Sequence, residues 1–450
     1  MRARPLAFAT MIALAGGCGG DGPLSRWTPT QTPHEQYADA LRSANLDGYA
    51  LGTAWLAAAD AALVNPETVT LPFREAGYLD PAAPSAIAWR FDLPRGRVLD
   101  IDVTFEPTGS ELSAPPAQGR PPAKLFVDLF LVGERGADRL ASADEGSTTL
   151  RHTARRDGTY LLRLQPELLV GGRYSIVQRT EASLRFPVEG ANEGNIQSLF
   201  GDARDGGSRD HHGVDIFARR GAPVVAAADG VVRRVDTTEI GGRVVWLSDT
   251  EHGQSIYYAH LDDWATESGR QVRKGDVLGY VGNTGNARTT PPHLHFGIYS
   301  RGPVDPLPFI RAADRPPPAP AGALALLGGW GRIARARVPM RAAPARGSDT
   351  LATLEAGTAL RVAAASSHLF RVALPDGRVG YVEARAIARL SAPLRSRALA
   401  AGDALLSAPS ERGVIVEVVP AAARAGVLAR FGGFALVDVN GRRGWVREGT

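Results

Sequence analysis

The chain has 450 residues, 22% of them charged and 44% hydrophobic, with a formal net charge of +4. Single cores rarely grow past about 250–300 residues, so several domains of ordinary soluble composition are expected. Lys124 and Lys274 are the only lysines, and no arginine run interleaves with aromatics, so neither the charge nor its pattern points to nucleic acid.

The first twenty residues read MRARPLAFATMIALAGGCGG. Arg2 and Arg4 precede an apolar run, Leu6–Ala15, too short to span a bilayer and built like a signal peptide. Without that leader the net charge is about +2. Cys18 is the single cysteine and cannot form an internal disulfide. The stretch resembles a bacterial lipoprotein signal, with AGGC where LAGC is usual. The resemblance implies a signal peptide over 1–17, lipidation of Cys18 and a membrane anchor, because two or three acyl chains hold a protein firmly. Gly19 after the cysteine places the expected anchor at the outer membrane, facing the periplasm. The competing reading is an ordinary cut after Ala15, from Ala13-Leu14-Ala15. No other segment is long and apolar enough to span a membrane.

Residues 18–84 read as a tether followed by a helical segment. Thr32-Pro33-His34-Glu35 has the form of a helix start, with threonine as cap, proline first and glutamate third. Tyr37, Leu41, Leu51, Trp55, Ala58 and Leu63 suggest one or two packed helices up to Val64, with Trp55 in the core. Over 85–188 the pattern turns to strands. Ala88–Leu93 and Leu99–Phe105 alternate, Leu125–Val132 is an apolar run, and Asp157-Gly158 is a turn before Thr159–Leu164. Pro115–Pro122 is expected to be a loop. This region reads as a β-sandwich-like domain with a packing or spacer role. Residues 195–310 are rich in valine, glycine and short alternating runs, which points to a further all-β domain. Arg315–Pro320, RPPPAP, reads as a stiff linker.

Beyond the linker lies an internal repeat. Phe370–Val382 (FRVALPDGRVGYV) matches Phe434–Val446 (FALVDVNGRRGWV) at a constant offset, pairing Phe370 with Phe434 and Tyr381 with Trp445. Asp376-Gly377 and Asn440-Gly441 are hairpin dipeptides. The two units, 330–390 and 395–450, resemble bacterial SH3-like barrels of wall-active proteins, the first more closely. Because exposed aromatics of such barrels often touch wall material, these units are expected to add affinity for it.

Six of the nine histidines fall between 211 and 295: His211, His212, His252, His260, His293 and His295. In an extended PHLHF segment His293 and His295 share one face while Leu294 points to a core. In HHGVD, residues 211, 213 and 215 share a face, and Gly213 leaves room for an ion between His211 and Asp215. Two histidines and an aspartate can hold a catalytic zinc with one position open for water. His212 would face away from His211, and His252 reads as a turn residue. His34, His152 and His368 read as surface or cap residues.

His211-x-Gly213-x-Asp215, Tyr258-Ala259-His260-Leu261 and His293-Leu294-His295-Phe296 together resemble the lysostaphin-type (LytM-like) zinc endopeptidases of bacterial cell walls. Gly221–Val232 (GAPVVAAADGVV), Gly275–Gly279 and Val281–Gly285 follow the same pattern. The resemblance covers about a quarter of the chain and implies a β-sheet groove with Zn2+ at its base, held by His211, Asp215 and His295. It also implies that His260 and His293 are catalytic, one taking the proton of a water whose pKa zinc lowers toward ~7, one helping the leaving amine depart. Their division of roles stays open. Asn286–Pro291 departs from the family's shorter approach and is expected to reshape one wall of the groove. The expected protein is therefore mainly β: a short N-terminal helical segment, a sandwich, a LytM-type peptidase domain and two SH3-like barrels. Its expected partners are peptidoglycan and a membrane, with any protein regulator unknown. The rivals are a non-enzymatic regulator of wall amidases and a wall-binding scaffold.

Overall fold

The computed structural model describes residues 31–108, 123–315, 317–320, 322, 324–344 and 347–448. The leader, Cys18 and the whole of the 115–122 loop lie outside the described residues.

The chain is built mainly of antiparallel strands, preceded by two helices, Pro33–Ser43 and Ala50–Val64. The first helix starts as its sequence dictates. The Thr32 hydroxyl accepts from the Glu35 amide, and the Glu35 carboxylate accepts from the Thr32 amide at 2.8 Å. Ala38, Leu41 and Trp55 pack against Phe126 of the next domain. The second helix turns Gly52, Trp55, Ala59 and Ala62 inward, so Leu51 is left exposed. His34 is not a surface residue: it is buried, stacked on Trp55 at 5.0 Å and bonded to Gln165 Oε1 at 2.7 Å.

Two sheets then pack face to face. One takes the order Glu67–Thr68, Ile87–Leu93, Gly158–Pro166, Leu125–Gly133, Gly136–Ser142. The other contains Phe73–Leu79, Gly172–Ala182, Arg97–Pro107 and Thr149–Thr153. Trp89, Phe91, Leu99, Ile101, Leu129, Leu162 and Ile176 fill the space between them. Each such side chain contributes about 1.5–3 kcal/mol on burial. Strand structure begins ahead of residue 85, because Glu67–Thr68 and Phe73–Leu79 are recruited to the edges of partner strands. Phe73–Leu79 also pairs Ala76 with Ala365 and Gly77 with Ala364, so the second sheet runs on into the first SH3-like unit.

The histidine-bearing segment forms a ten-stranded sheet. Its central order is Ile196–Ser198, Val214–Phe217, His293–Tyr299, Gln254–Trp264, Gly242–Asp249, Gly230–Thr238. Val214, Ile216, Leu247, Ile256, Tyr258, Leu294, Phe296 and Ile298 form its core on one face. The alternate residues of Val214–Phe217 and His293–Tyr299 are thereby forced onto the opposite face, where Asp215, His293 and His295 stand.

The two C-terminal units have the same strand order. In the first it is Thr350–Leu354, Val338–Arg341, Val379–Glu383, Leu369–Ala373, Ala359–Ser366, Trp330–Ile333. In the second it is Ile415–Val418, Ala404–Leu406, Arg442–Arg447, Phe434–Val439, Ala423–Phe431, Arg395–Leu399. Among the described residues neither set closes on itself by strand pairing. Phe370, Phe434, Tyr381 and Trp445 are all buried, so the repeated aromatics build cores rather than an exposed binding face. The turns also differ. Asn440 and Gly441 both adopt positive φ in a two-residue hairpin, whereas Asp376-Gly377 lies in a five-residue loop with only the glycine at positive φ.

Candidate metal centre and catalytic groove

Val214–Phe217 and His293–Tyr299 are antiparallel neighbours in a register that sets Asp215 opposite His295. His211 arrives from just ahead of the first strand. The three side chains converge: His211 Nε2 lies 3.0 Å from Asp215 Oδ1 and 2.9 Å from His295 Nδ1, and His295 Nδ1 lies 3.0 Å from Asp215 Oδ1. Among the described residues they are the one group of this kind placed to hold a metal ion. Gly213 is required between them, since a Cβ there would come within 2.8 Å of the His295 ring and 2.5 Å of the Phe296 carbonyl.

The donor set fits a zinc ion. His211 Nδ1 donates to the Leu199 carbonyl at 2.7 Å, which turns the Nε2 lone pair toward the cluster. Two imidazole nitrogens and a carboxylate oxygen this close repel one another unless a proton or a cation lies among them. Asp215 is held as a carboxylate. Burial opposes its charge, but the contacts with His211 and His295 outweigh that and keep its carboxyl far below the usual range. Burial pushes the His295 imidazole down, against the pull of Asp215. A neutral imidazole is the form that ligates metal.

Across the groove stand His260 and His293, with ring centroids 5.0 Å apart. His260 is 6.0 Å from the His295 ring by the same measure. Each donates Nδ1–H to a backbone carbonyl: His260 to Thr284 at 2.9 Å and His293 to Pro291 at 2.9 Å. Both therefore offer an Nε2 lone pair, which is what a general base needs. Burial, then the charges of His293 and His295, push His260 down to about 4, so it rests neutral. His293 stacks on Phe217 at 4.9 Å.

His260 has a φ of 63°, which its strand accommodates through a register shift against Gly242–Asp249. Its amide donates to the Gly241 carbonyl at 2.7 Å. Thr284 closes the other side, its hydroxyl donating to the Leu261 carbonyl at 2.8 Å and accepting from the Arg243 amide at 2.9 Å. Strained backbone that is fixed from several directions commonly marks a functional position.

The five residues line one groove of about 790 Å³. Asn286, Ala287 and Thr290 form part of its wall, where the sequence departs from the family pattern. Trp246, Tyr257 and Tyr299 form an aromatic floor that starts 5.9 Å from His295, with Trp246 and Tyr257 centroids 4.4 Å apart. His212 is exposed at the rim, stacked beside Phe200. His252 sits in the turn after Asp249. Sequence reasoning missed Arg204, whose Nη2 donates to Asp215 Oδ2 at 2.7 Å; no spacing rule links the two residues. It also missed the aromatic floor, which assembles from three different strands.

Residues 209–306 match the family model of Peptidase family M23, and residues 334–388 match that of the Bacterial SH3 domain. The chain carries an M23 peptidase domain. Over 143 residues it is 36% identical to the L-Ala--D-Glu endopeptidase of Bacillus subtilis (strain 168), covering 29% of this chain and 44% of that protein. The DD-carboxypeptidase/endopeptidase Mpg of Neisseria meningitidis serogroup B is 40% identical over 112 residues, covering 23% and 25%. The chain thus spans less than half the length of these curated relatives. The catalytic domain of lysostaphin from Staphylococcus simulans is 30% identical with a TM-score of 0.24, covering 26% of this chain and 92% of that one. The segment that holds Arg204 lies just ahead of the residues that match the M23 model.

Proposed function

We propose that this protein is a zinc metalloendopeptidase that hydrolyses peptide bonds of bacterial cell-wall peptidoglycan. The observation that carries the reading is the pairing of two sets in one groove. The donor atoms of His211, Asp215 and His295 meet within about 3 Å. Facing them are His260 and His293, each of which turns Nδ1 to a backbone carbonyl and so leaves Nε2 as the ring nitrogen that can take a proton. Zinc held by that trio supplies Lewis acidity toward the peptide carbonyl and a nucleophile from water near neutral pH. His260 and His293 then do the proton work. One Nε2 takes the water proton, and that proton passes on to the departing amine nitrogen, so the C–N bond breaks as the C–O bond to the water oxygen forms and charge stays balanced. The aromatic floor and the Asn286–Thr290 wall orient the peptide and keep bulk water from the reacting atoms.

The complete five-residue set favours this reading over a non-enzymatic regulator of amidases or a wall-binding scaffold. The test is zinc per chain together with product masses from a digest of purified peptidoglycan. Peptide cuts dependent on zinc support it. A chain that holds no zinc and releases no peptides refutes it, and amidase activation would then single out the regulator.

The place of action belongs to the same proposal: a lipid anchor at Cys18 that holds the enzyme at the outer membrane, facing the periplasm. Cys18→Ala should abolish acylation and the leader cleavage that depends on it, read by intact mass and membrane fractionation. Soluble wild-type protein beginning at Gly16 would sink the anchor and support the cut after Ala15.

A further inference from the structure

We infer that the turn Ser198–Arg204, which lies ahead of the M23-matched residues, is the positioning element of the metal centre, with Arg204 as the residue that aims Asp215. The inference rests on the zinc reading above. Two of the three ligand side chains take their orientation from this one turn. The Leu199 carbonyl fixes the His211 ring through Nδ1 at 2.7 Å. Arg204 Nη2 bonds Asp215 Oδ2 at 2.7 Å, which leaves Oδ1 as the oxygen that faces His211 and His295. The same Nη2 donates to the Ser198 hydroxyl, so the guanidinium bridges the turn and the ligand.

The turn itself is rigid. Asp202 Oδ2 accepts from the Leu199 amide at 2.8 Å and from the Ser198 hydroxyl at 2.9 Å. Reciprocal backbone bonds tie it to the ligand: the Gly201 amide to the His211 carbonyl at 2.8 Å and the His211 amide to the Asp202 carbonyl at 2.9 Å. Gly201 makes the bend at a φ of 84°. On its two flanks, Ser198 pairs with Asp215 and Arg204 pairs with Arg209 in short antiparallel ladders. The Arg204–Asp215 ion pair is largely shielded, with side chains 28% and 11% exposed, so solvent screens it weakly. Groups that hold metal ligands in place typically matter by 10–100-fold in metal affinity or activity.

The experiment measures zinc affinity by chelator competition and the visible absorption of cobalt-substituted full-length protein. Arg204→Met should weaken zinc binding roughly 10–100-fold and alter the cobalt spectrum, with the melting temperature of the metal-free protein unchanged. Arg204→Lys, which keeps the charge but loses the fork, should recover part of the affinity. Wild-type affinity and spectrum in Arg204→Met overturn the inference. Equal losses in both variants with a lowered metal-free melting temperature also overturn it, because they mark a merely structural role. Wild-type protein that binds zinc but leaves peptidoglycan uncut refutes the endopeptidase reading and leaves this inference standing. Wild-type protein that binds no zinc removes both.

Discussion

At the scale of single residues, the groove divides the histidines by the direction their nitrogens face. His211, Asp215 and His295 point donor atoms at one another, whereas His260 and His293 turn Nδ1 to backbone carbonyls and line the same groove. Alanine at any of the first three should therefore abolish both zinc retention and peptidoglycan turnover. Alanine at His260 or His293 should keep most of the zinc and lower turnover by about 10²–10⁴-fold. Zinc analysis beside a cleavage assay on all five variants checks this, and wild-type rates in both His260→Ala and His293→Ala would reject the assigned roles. His211, Asp215, His293 and His295 were legible in the sequence because strand alternation fixes which side chains share a face, and Gly213 advertises the space between two of them, whereas His260 was legible only through the resemblance carried by Tyr258-Ala259-His260-Leu261. The Leu199 carbonyl, Arg204 and the positive φ of His260 were not legible. Each depends on segments brought together by tertiary packing, and a backbone carbonyl has no sequence signature.

At the scale of elements, the hairpin Gly242–Asp249 to Gln254–Trp264 carries His260 at one end and is closed at the other by Asp249. The buried Asp249 carboxylate accepts from the His252 amide at 3.1 Å, from His252 Nδ1 at 2.8 Å and from Gln254 Nε2 at 2.9 Å. The hydrogen bond that His252 donates to Asp249 raises the His252 pKa from its ordinary value, and burial works against it. Asp249 and Glu251 add attraction, while Arg155 opposes. A raised folded-state pKa means that the stabilisation is complete below the unfolded value and is lost as pH rises through the folded value. Stability should thus fall as pH rises from the ordinary histidine range through the raised His252 value, and His252→Gln should flatten that slope. Denaturant melts across this range, with an NMR titration of His252, provide the check; a wild-type His252 that titrates below its ordinary value would contradict it. Elements with strong local signals, such as the Thr32 cap, the alternating strands and the Asn440-Gly441 turn, matched their sequence reading. The face of the second helix did not, because a nearly all-apolar segment leaves its inward side to be chosen by what it packs on.

At the scale of the whole molecule, the sandwich and the first SH3 unit share a sheet, and the join is sealed by a buried charged cluster. Arg371 of the SH3 unit reaches Glu75 of the sandwich at 3.3 Å and pairs with Glu67, while Tyr174 donates to Glu75 at 2.6 Å and Tyr381 bonds Glu67. Burial pushes the Glu75 carboxyl up to about 8, against the hydrogen bond from Tyr174. This join was hidden in the sequence, since Phe73–Leu79 is short, mixes polar residues with glycine, and becomes a strand only when Gly172–Ala182 and Ala359–Ser366 pair with its two edges. Such a cluster is costly to disrupt from one side: removing the cation strands the Glu67 carboxylate in a poorly solvated place, beside a Glu75 carboxyl whose raised value keeps it mostly protonated near neutral pH. Arg371→Met should destabilise the protein by about 3–5 kcal/mol. Because the sheet is continuous, that loss should reach both units together. Native-state hydrogen exchange followed at Phe73–Leu79 and at Leu369–Ala373 should show the two strands losing protection by similar factors. If the SH3 strand alone loosened while the sandwich strand kept its wild-type protection, the two units would be independent bodies in mere contact, and the shared sheet would not be the device that fixes the SH3 unit to the domain carrying the peptidase.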